Sequence, residues 1–392
     1  MISQASRVYI DASVPVLREH GLAITTTFYN NVFAEIPALT NLFNMGNQAN
    51  GAQQQSLASA VFAYAANIGS PQLLAPVIER IVQKHVSVGV RAEHYPIVGR
   101  HLLGAIAETL GEAATPALLD AWAEAYGSLA KLFIDAERAL YQDAGIEPGE
   151  TRAMRVTQVT RESDDVVSIC MAPVDGGDLP AWRAGQYLSV TVAFGDGRSQ
   201  IRQYSLSDTE RLRISVKRER GENTPAGAVS NWIHANVSEG SVLQGSTPCG
   251  DFVIDTDSAE PLVLLSAGVG ITPMVAALNR IARHHSQRSV IFAHAARNAA
   301  HHAHQADVAA AQACMPNLQV VTFYEEGPGA LEGRMELARL PAWPHTGADV
   351  YMCGPLPFMQ AQWQALIAAG VPVARLRREV FGPEALEHIL SA

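Results

Sequence analysis

The chain is poor in cysteine. Four thiols among 392 residues, Cys170, Cys249, Cys314 and Cys353, stand far apart and form no CxxC pair. That spacing argues against a disulfide framework and a cysteine zinc site, and it suits a reducing compartment. Long apolar runs are missing too, so no stretch has the length of a membrane span. The start, MISQASRVYI, lacks the basic head, apolar run and cleavage site of a secretory leader, and a cytoplasmic location is expected. Positive charge is scarce. Lys plus Arg is 28 against 38 Asp plus Glu, a net charge of −10 that argues against a nucleic-acid binder. The acidity is spread along the chain and leaves no charged tail.

What remains is an ordinary globular composition, 48% hydrophobic and 17% charged, long enough for two or three domains with their own cores. The first part, residues 1–148, reads as helical throughout. Glycine or proline punctuates the expected breaks, at Gly21, Pro37, Gly51, Pro71, Gly111, Pro116 and Gly145. Thr115-Pro116 is a helix start, with threonine as cap and proline in the first turn. The helix after it carries Leu118, Leu119, Trp122, Tyr126, Leu129, Phe133 and Leu140 at spacings of mostly three or four. Gln53 and Leu57 stand one helical turn apart on another helix.

The stretch KHVSVGVRAEHYPIVGRHLL organises this part. Val77, Ile78, Ile81 and Val82 recur at helical spacing, and His85 falls on the same apolar face. A histidine there suits a satisfied core position. It also suits a haem iron, which needs a neutral imidazole nitrogen, an apolar pocket and a second group fixing the tautomer. Tyr29 has the same two readings: a core tyrosine, or a hydroxyl donor to a ligand.

After Gly145 the pattern changes. IEPGETR is a turn-rich link. Short strands follow, AMRVTQVTRES, VVSICMAPV, QYLSVTVAF, RQYSLSD and LRISVKRE, with turns such as DGGD and GDGR between them. They predict a small antiparallel barrel. In it Arg202-Gln203-Tyr204-Ser205 places Arg202 and Tyr204 on one face of a strand. A flavin site needs a cation for the diphosphate, a flat ring against the isoalloxazine and a small hydroxyl. Further on, Gly227-Ala228-Val229-Ser230-Asn231-Trp232 offers a close backbone approach and a helix N-terminus suited to phosphate.

From about residue 259 strands and helices alternate. PLVLLSAG reads as a buried parallel strand ending in Gly268-Val269-Gly270-Ile271-Thr272-Pro273. Proline suits the first helical turn and the glycines suit a pyrophosphate. SVIFAHAARN, LQVVTFYE and DVYMCGPLPFM complete a doubly wound sheet of four strands. The last of them ends in Cys353-Gly354-Pro355.

The residues together resemble a known family. FYNNVF, NLFNMGNQ, the Gln53/Leu57 helix, QKHVSVGVRAEHYPIVGRHLL and AWAEAYGSLAKLFIDAERALY are similar to the globin domain of flavohaemoglobins, the bacterial nitric oxide dioxygenase family. RAGQYLSV, RxYS and GxVSNWI resemble the FAD domain of the ferredoxin–NADP reductase superfamily, and GxGxTP with CGPxxFM its nicotinamide half. The resemblance implies an all-α globin (1–148), an antiparallel β-barrel FAD domain (150–257) and an α/β doubly wound NAD(P) domain (259–392). It implies haem b with His85 as the metal ligand and Phe28, Phe43, Leu57 and Lys84 around it. Tyr29 and Gln53 would line the distal side, with Val61 as a further wall, and Tyr95 and Glu137 would bond around the proximal imidazole. It implies FAD on Tyr187, Arg202, Gln203, Tyr204, Ser205, Gly227, Val229 and Ser230, with Glu379, Val380, Phe381, Gly382 and Pro383 returning over the flavin. NADH or NADPH would bind at Gly268, Val269, Gly270, Ile271, Thr272, Pro273, Cys353, Gly354 and Pro355.

The implied activity is nitric oxide dioxygenation. NAD(P)H reduces FAD, FAD reduces the haem iron, and nitric oxide and dioxygen become nitrate, with no obligate protein partner. A lipid chain or an aromatic azole also suits the apolar distal pocket. One departure stands out: many flavohaemoglobins have cysteine where Val380 stands, so redox tuning by that thiol is not expected. His301, His302 and His304 invite a metal reading, yet without a neighbouring cysteine or carboxylate at ligand spacing they read as a solvated turn. NADH and NADPH both stay open. Two other classes fit parts of the chain, a haem-based gas or redox sensor and a flavin reductase serving an external acceptor.

Overall fold

The computed structural model describes residues 2–43, 48, 50–221 and 226–382. They divide into two compact units, one built mainly on residues up to Glu150 together with 192–201, the other on 151–191 and 202–381.

The first unit is helical: α1 (Gln4–Glu35), α2 (Ala52–Ala66), α3 (Ala75–Ser87), α4 (His94–Leu110) and α5 (Pro116–Ala144). Thr115 caps α5 as expected, its hydroxyl accepting the Leu118 N–H at 3.3 Å, and Gly145 ends the helix in the left-handed region at φ 65°. Gly21 does not end a helix. α1 runs straight through it, and through Pro15. A Cβ at Gly21 would stand 3.6 Å from the Ala58 Cβ, so this glycine marks the close passage of α1 and α2. Packing there outweighs roughly 1 kcal/mol of helix propensity. The core holds Ile10, Leu17, Ile24, Phe28, Tyr29 and Val32 of α1 against Leu102 and Ile106 of α4 and Trp122 of α5.

The second unit holds most of the residues of two sheets. In the first, β1 (Arg152–Arg161), β2 (Val166–Pro173), β3 (Tyr187–Ala193), β4 (Ser199–Ser205), β5 (Leu212–Lys217) and β6 (Val242–Gly245) follow the order β4-β3-β6-β1-β2-β5. The bridge Leu206↔Ile214 joins the end of β4 to β5 and closes the barrel. α6 (Ala228–Asn236) lies between β5 and β6 in sequence. In the second sheet, β7 (Leu262–Ala267), β8 (Val290–Ala296), β9 (Leu318–Tyr324), β10 (Leu331–Glu332), β11 (Asp349–Cys353) and β12 (Leu376–Glu379) pair in parallel in the order β10-β9-β8-β7-β11-β12. Helices α7 (Ile271–His284), α8 (Gln305–Cys314) and α9 (Leu356–Ala368) connect them. The strand order reverses between β7 and β11, the switch point at which such sheets bind ligands. Two strands go beyond the four expected. β10 is two residues long and β12 reads LRRE, and neither edge strand carries an apolar pattern.

One core cluster runs through both sheets, from Val166, Ala184, Phe252 and Ile254 to Leu264, Met274, Leu278 and Phe292. Charges reinforce the joint. Arg283 of α7 donates to both oxygens of Asp208, at 2.9 and 2.7 Å. Burial pushes the Asp208 carboxyl up, but the Arg283 pair and the N–H groups of Glu210 and Arg211 outweigh it and hold it down to about 2.

A carboxyl whose folded pKa lies below the unfolded value of about 3.9 adds stability above that value and loses it as pH falls through the folded one. Asp208→Asn is expected to lower stability at pH 7 by about 2 kcal/mol. It should also flatten the acid limb between about pH 4 and 2. Urea unfolding across pH measures both, and an unchanged limb would mean the pair adds nothing.

Candidate functional site

α3 carries His85 in its last turn, on the face that also buries Val82 and Val86. The His85 Nδ1 lies 2.8 Å from Glu137 Oε1 and 3.1 Å from the Tyr95 hydroxyl. Tyr95 donates to the same Glu137 oxygen at 2.5 Å. Three helices thus converge on one carboxylate, which is 3% exposed. A carboxylate only accepts, so the imidazole proton sits on Nδ1, and Nε2 keeps its lone pair with no hydrogen-bond partner among the described residues. Burial first, then the Glu137 charge, push the Tyr95 phenol far up, so it stays a donor. The Tyr126 hydroxyl donates to the Tyr95 carbonyl at 2.7 Å, and that of Tyr141 to Val90 at 3.0 Å, which anchors the α3–α4 corner. Phe133 packs against the imidazole, ring centres 5.7 Å apart. Lys84 is exposed on α3.

Tyr29 lies in the core of the same unit, beside Phe28 and Phe43 at ring-centre distances of 4.9 and 5.6 Å. Burial pushes its phenol up to about 12, while a hydrogen bond with Gln53 pulls the other way. Thr25 Oγ1 donates to the Gln54 carbonyl at 2.9 Å and ties α1 to α2 beside this pair. Leu57 and Val61 pack against the same core. A neutral imidazole nitrogen, a buried donor pair and an apolar surround match what a haem requires.

In the barrel, Arg202 and Tyr204 sit two apart on β4, and the Arg202 charge opposes the upward push that burial gives the Tyr204 phenol. Burial draws the Arg202 guanidinium down and the Tyr204 phenol up. Gln203 donates to Ser189 Oγ at 3.2 Å, and Ser205 is buried. Tyr187 bridges to Cys249, and a Cβ at Gly250 would press on the Tyr187 ring at 3.1 Å. Gly227 caps α6, with Ser230 Oγ donating to its carbonyl at 3.2 Å and Val229 buried behind. A half-buried cation, an adjacent ring and a glycine-capped helix are the groups a flavin diphosphate needs.

At the carboxyl end of β7, Gly268 takes φ 54° and Gly270 precedes α7, whose first residues are Ile271, Thr272 and Pro273. Thr272 Oγ1 donates to the Val269 carbonyl at 3.0 Å and locks the turn. A Cβ at Gly270 would lie 2.3 Å from the Cys353 oxygen and 2.7 Å from the Gly354 nitrogen. The turns after β7 and β11 therefore pack backbone to backbone, with Pro355 capping α9. Burial pushes the Cys353 thiol well up, which rules it out as a ready nucleophile. Glu379 pairs in register with Cys353, and Val380, Phe381 and Gly382 follow β12, with Phe381 exposed. Pro383 lies outside the described residues.

The histidine run is not a solvated turn. His302 is buried with Nδ1 2.9 Å from the Tyr324 hydroxyl, and His304 is fully buried. His304 Nδ1 donates to Asp307 at 2.9 Å, and Ser215 Oγ lies 3.0 Å from Nε2. Glu162, His304 and Asp307 have metal-ligand spacing. However, Arg213 already holds both Asp307 oxygens at 3.1 Å, and this arginine supplies the cation. Burial draws His302 down to about 4, with the His304 charge adding to the effect. The packing of this loop against β5 and β9 buries polar residues that an exposed-turn pattern cannot foretell. The tyrosine hydroxyls at 126 and 141 were equally hidden, because helical spacing marks only their burial.

Residues 26–132 match the globin family and residues 264–364 the oxidoreductase NAD-binding domain family. The flavohemoprotein of Bordetella parapertussis is 48% identical, covering 97% of this chain and 99% of its own length. That of Deinococcus radiodurans is 46% identical, with 98% of each chain covered. The crystal structure of flavohemoglobin from Malassezia yamatoensis with bound FAD and heme superposes with a TM-score of 0.87 at 31% identity, covering 97% of this chain and 100% of that one. The FAD/NAD binding domain of nitric oxide dioxygenase from Vibrio cholerae gives 0.56 at 36% identity, covering 59% and 99%.

Gly270→Ala would drive its methyl into the Cys353 carbonyl. It is expected to cost roughly 1–3 kcal/mol of stability by overpacking. It should also weaken dinucleotide binding, because the turn must move. Thermal unfolding and a nicotinamide titration read the two effects, and a neutral outcome in both would mean the turns are not in contact.

Proposed function

The chain belongs to the flavohaemoprotein family, and on that premise we propose that it is an NAD(P)H-dependent nitric oxide dioxygenase of the cytoplasm. The observation that carries the reading is the convergence of His85, Tyr95 and Glu137 in the same helical unit as the Tyr29–Gln53 pair. When bound, haem supplies one-electron iron chemistry, FAD divides a hydride into single electrons and the nicotinamide supplies that hydride. One nitric oxide, one dioxygen and one electron make one nitrate. Each hydride therefore serves two turnovers and leaves a proton and the oxidised nicotinamide.

His85 Nε2 would hold the iron. Glu137 and Tyr95 act through it as positioning residues, keeping the proton at Nδ1 and making the imidazole a stronger donor. The Tyr29 hydroxyl would donate to the substrate oxygens, with the Gln53 amide holding the phenol oxygen. Phe28, Phe43, Leu57 and Val61 would exclude water, and they also suit an aromatic azole or a lipid chain as an inhibitor. Arg202 would pair with the FAD diphosphate, Tyr204 would face the flavin ring, and Tyr187, Ser205 and the Gly227–Ser230 turn would complete that site. The Gly268–Pro273 and Cys353–Pro355 turns would cradle the nicotinamide dinucleotide. These roles divide the chain at 1–148, 150–257 and 259–392. No helix among the described residues is long and apolar enough to cross a membrane.

The deciding experiment is aerobic consumption of nitric oxide driven by NADH or NADPH, with nitrate measured as product. A gas sensor would turn over slowly, and a plain flavin reductase would oxidise the nicotinamide while sparing nitric oxide. Three variants sharpen the assignment. His85→Ala should lose most of its haem and keep FAD and nicotinamide-driven dye reduction. Glu137→Gln keeps the shape and removes the charge, so haem should stay while the iron–histidine stretch in resonance Raman moves to lower frequency. Tyr29→Phe removes a hydrogen bond worth roughly 1.5–3 kcal/mol, so dioxygen should leave about 10- to 150-fold faster in stopped flow. Carbon monoxide, less polar when bound, should leave at nearly its former rate. An unchanged dioxygen off-rate would make Tyr29 a packing residue.

A further inference from the structure

The helical unit holds an apolar opening that the site described above does not use. Where α1 packs on α4 and α5, a cavity of about 190 Å³ is left. Its mouth is at the surface, between Tyr9 and Ala12 of α1 and the corner at Ala113 and Thr115 that joins α4 to α5. Tyr9 there is 42% exposed. Its floor lies in the core, on Ile24, Ile106 and Trp122, which are 2%, 2% and 3% exposed. The opening has a local cause. Ala12, Ser13 and Ala113 line it, three small side chains where larger ones would close the gap. Protein interiors are close-packed and hold few voids larger than a water molecule, so an unfilled funnel from surface to core is a departure with chemical use.

The walls offer little to a polar guest. The Ser13 hydroxyl donates to the Ile10 carbonyl at 2.7 Å and is spent on its own helix. Thr115 Oγ1, at the mouth, accepts from the Leu118 N–H. No charged side chain lines the cavity. A buried water needs about two to four polar partners, whereas an apolar cavity of roughly 150 Å³ stays dry and takes up benzene or xenon. The guest that suits this cavity is therefore small, neutral and apolar. Charge and size exclude the flavin and the dinucleotide. Dioxygen and nitric oxide fit, because leaving water for an apolar space favours both; naming these two gases rests on the functional reading above. The floor also leads toward Tyr29. Ile24 stands one helical turn before Phe28, and Ile106 one turn after Leu102. All four belong to one core cluster with Tyr29, and the Phe28 ring stands 4.9 Å from that of Tyr29. Core side chains hop between rotamers, and a diatomic needs only such a momentary gap.

We propose that this cavity is an entry chamber for dioxygen and nitric oxide, which collect in it from solvent and pass through the Ile24–Phe28 core to the Tyr29 hydroxyl. Xenon probes the chamber with no turnover required. Crystals of the full-length protein under xenon pressure should show the atom bound beside Ile24 and Ile106. Val16→Phe, which fills the cavity from a half-buried wall, should exclude it. In the holoenzyme the same variant should slow dioxygen association and dissociation alike in stopped flow, each on the order of tenfold, which is about 1.4 kcal/mol on the barrier to passage. A route sets rates and leaves the equilibrium alone, so the dioxygen Kd should stay the same, whereas a distorted binding pocket would shift it. Ala12→Trp covers the mouth from an exposed position, where the fold tolerates a large side chain, and should act in the same way. The proposal is overturned if xenon is absent from the wild-type cavity. It is equally overturned if the filled variants keep wild-type dioxygen rates, or if their two rates change unequally and Kd moves. Xenon binding with the paired slowing of dioxygen, in a holoenzyme that consumes no nitric oxide, would instead overturn the functional reading and uphold the chamber for dioxygen.

Discussion

Glu137 is a buried carboxylate with two donors aimed at one of its oxygens, and the helical unit depends on it. An ionised carboxylate taken out of water costs several kcal/mol unless partners replace the lost hydration. Here the partners are the His85 imidazole from α3 and the Tyr95 phenol from α4, while the carboxylate itself hangs from α5. The requirement to satisfy that charge therefore ties three helices together. It also fixes a tautomer, because the only proton the imidazole can give at Nδ1 is the one the carboxylate takes. What is left at Nε2 is a neutral, oriented lone pair, the form in which an imidazole can serve as an iron ligand. Stability and chemistry rest on the same contact.

The reductase unit solves a different problem, holding two unlike sheets in one orientation. Apolar packing supplies the bulk through a core that runs from the barrel into the α/β layer. Direction comes from charge. Asp208 with Arg283, and Asp307 with Arg213, each pair a carboxylate from one element with a forked cation from another. Asp307 is held well below the usual carboxylate range, with burial opposing and His304 and Arg213 prevailing. Such pairs are costly to break singly, since the survivor is left buried and uncompensated. The glycine turns are built differently. Those turns are left as bare backbone, so that Gly270 and Gly354 let two strand ends approach closely.

Much of this was legible in the residues. The α5 cap and its apolar stripe follow from Thr115-Pro116 and a three-to-four spacing, because local geometry decides both. The turns proposed for flavin and nicotinamide were legible as turns, because glycine and proline at fixed offsets between a strand and a helix leave few other conformations. Gly21 misled because a glycine within a helix looks the same whether it ends the helix or admits a neighbour. The strands β10 and β12 were invisible because edge strands need not alternate. The histidines at 301, 302 and 304 misled most: three polar residues near a turn suggest solvent, and only the packing of that loop against β5 and β9 takes His302 and His304 out of it.

The sequence by itself determined most element types, the three kinds of domain and the choice of the histidine, tyrosines and glycines proposed for the sites. All of these depend on periodicity or on offsets within a few residues, where the chain's own geometry limits what each residue can do. The tertiary structure alone decided which carboxylate serves which imidazole, which arginine is committed to an ion pair and which is left exposed, and which glycine stands against which carbonyl. These join positions tens of residues apart, such as His85 with Glu137 or Gly270 with Cys353. No local preference encodes such a meeting. It exists only once burial has brought the elements together and each buried polar group has had to find its partner.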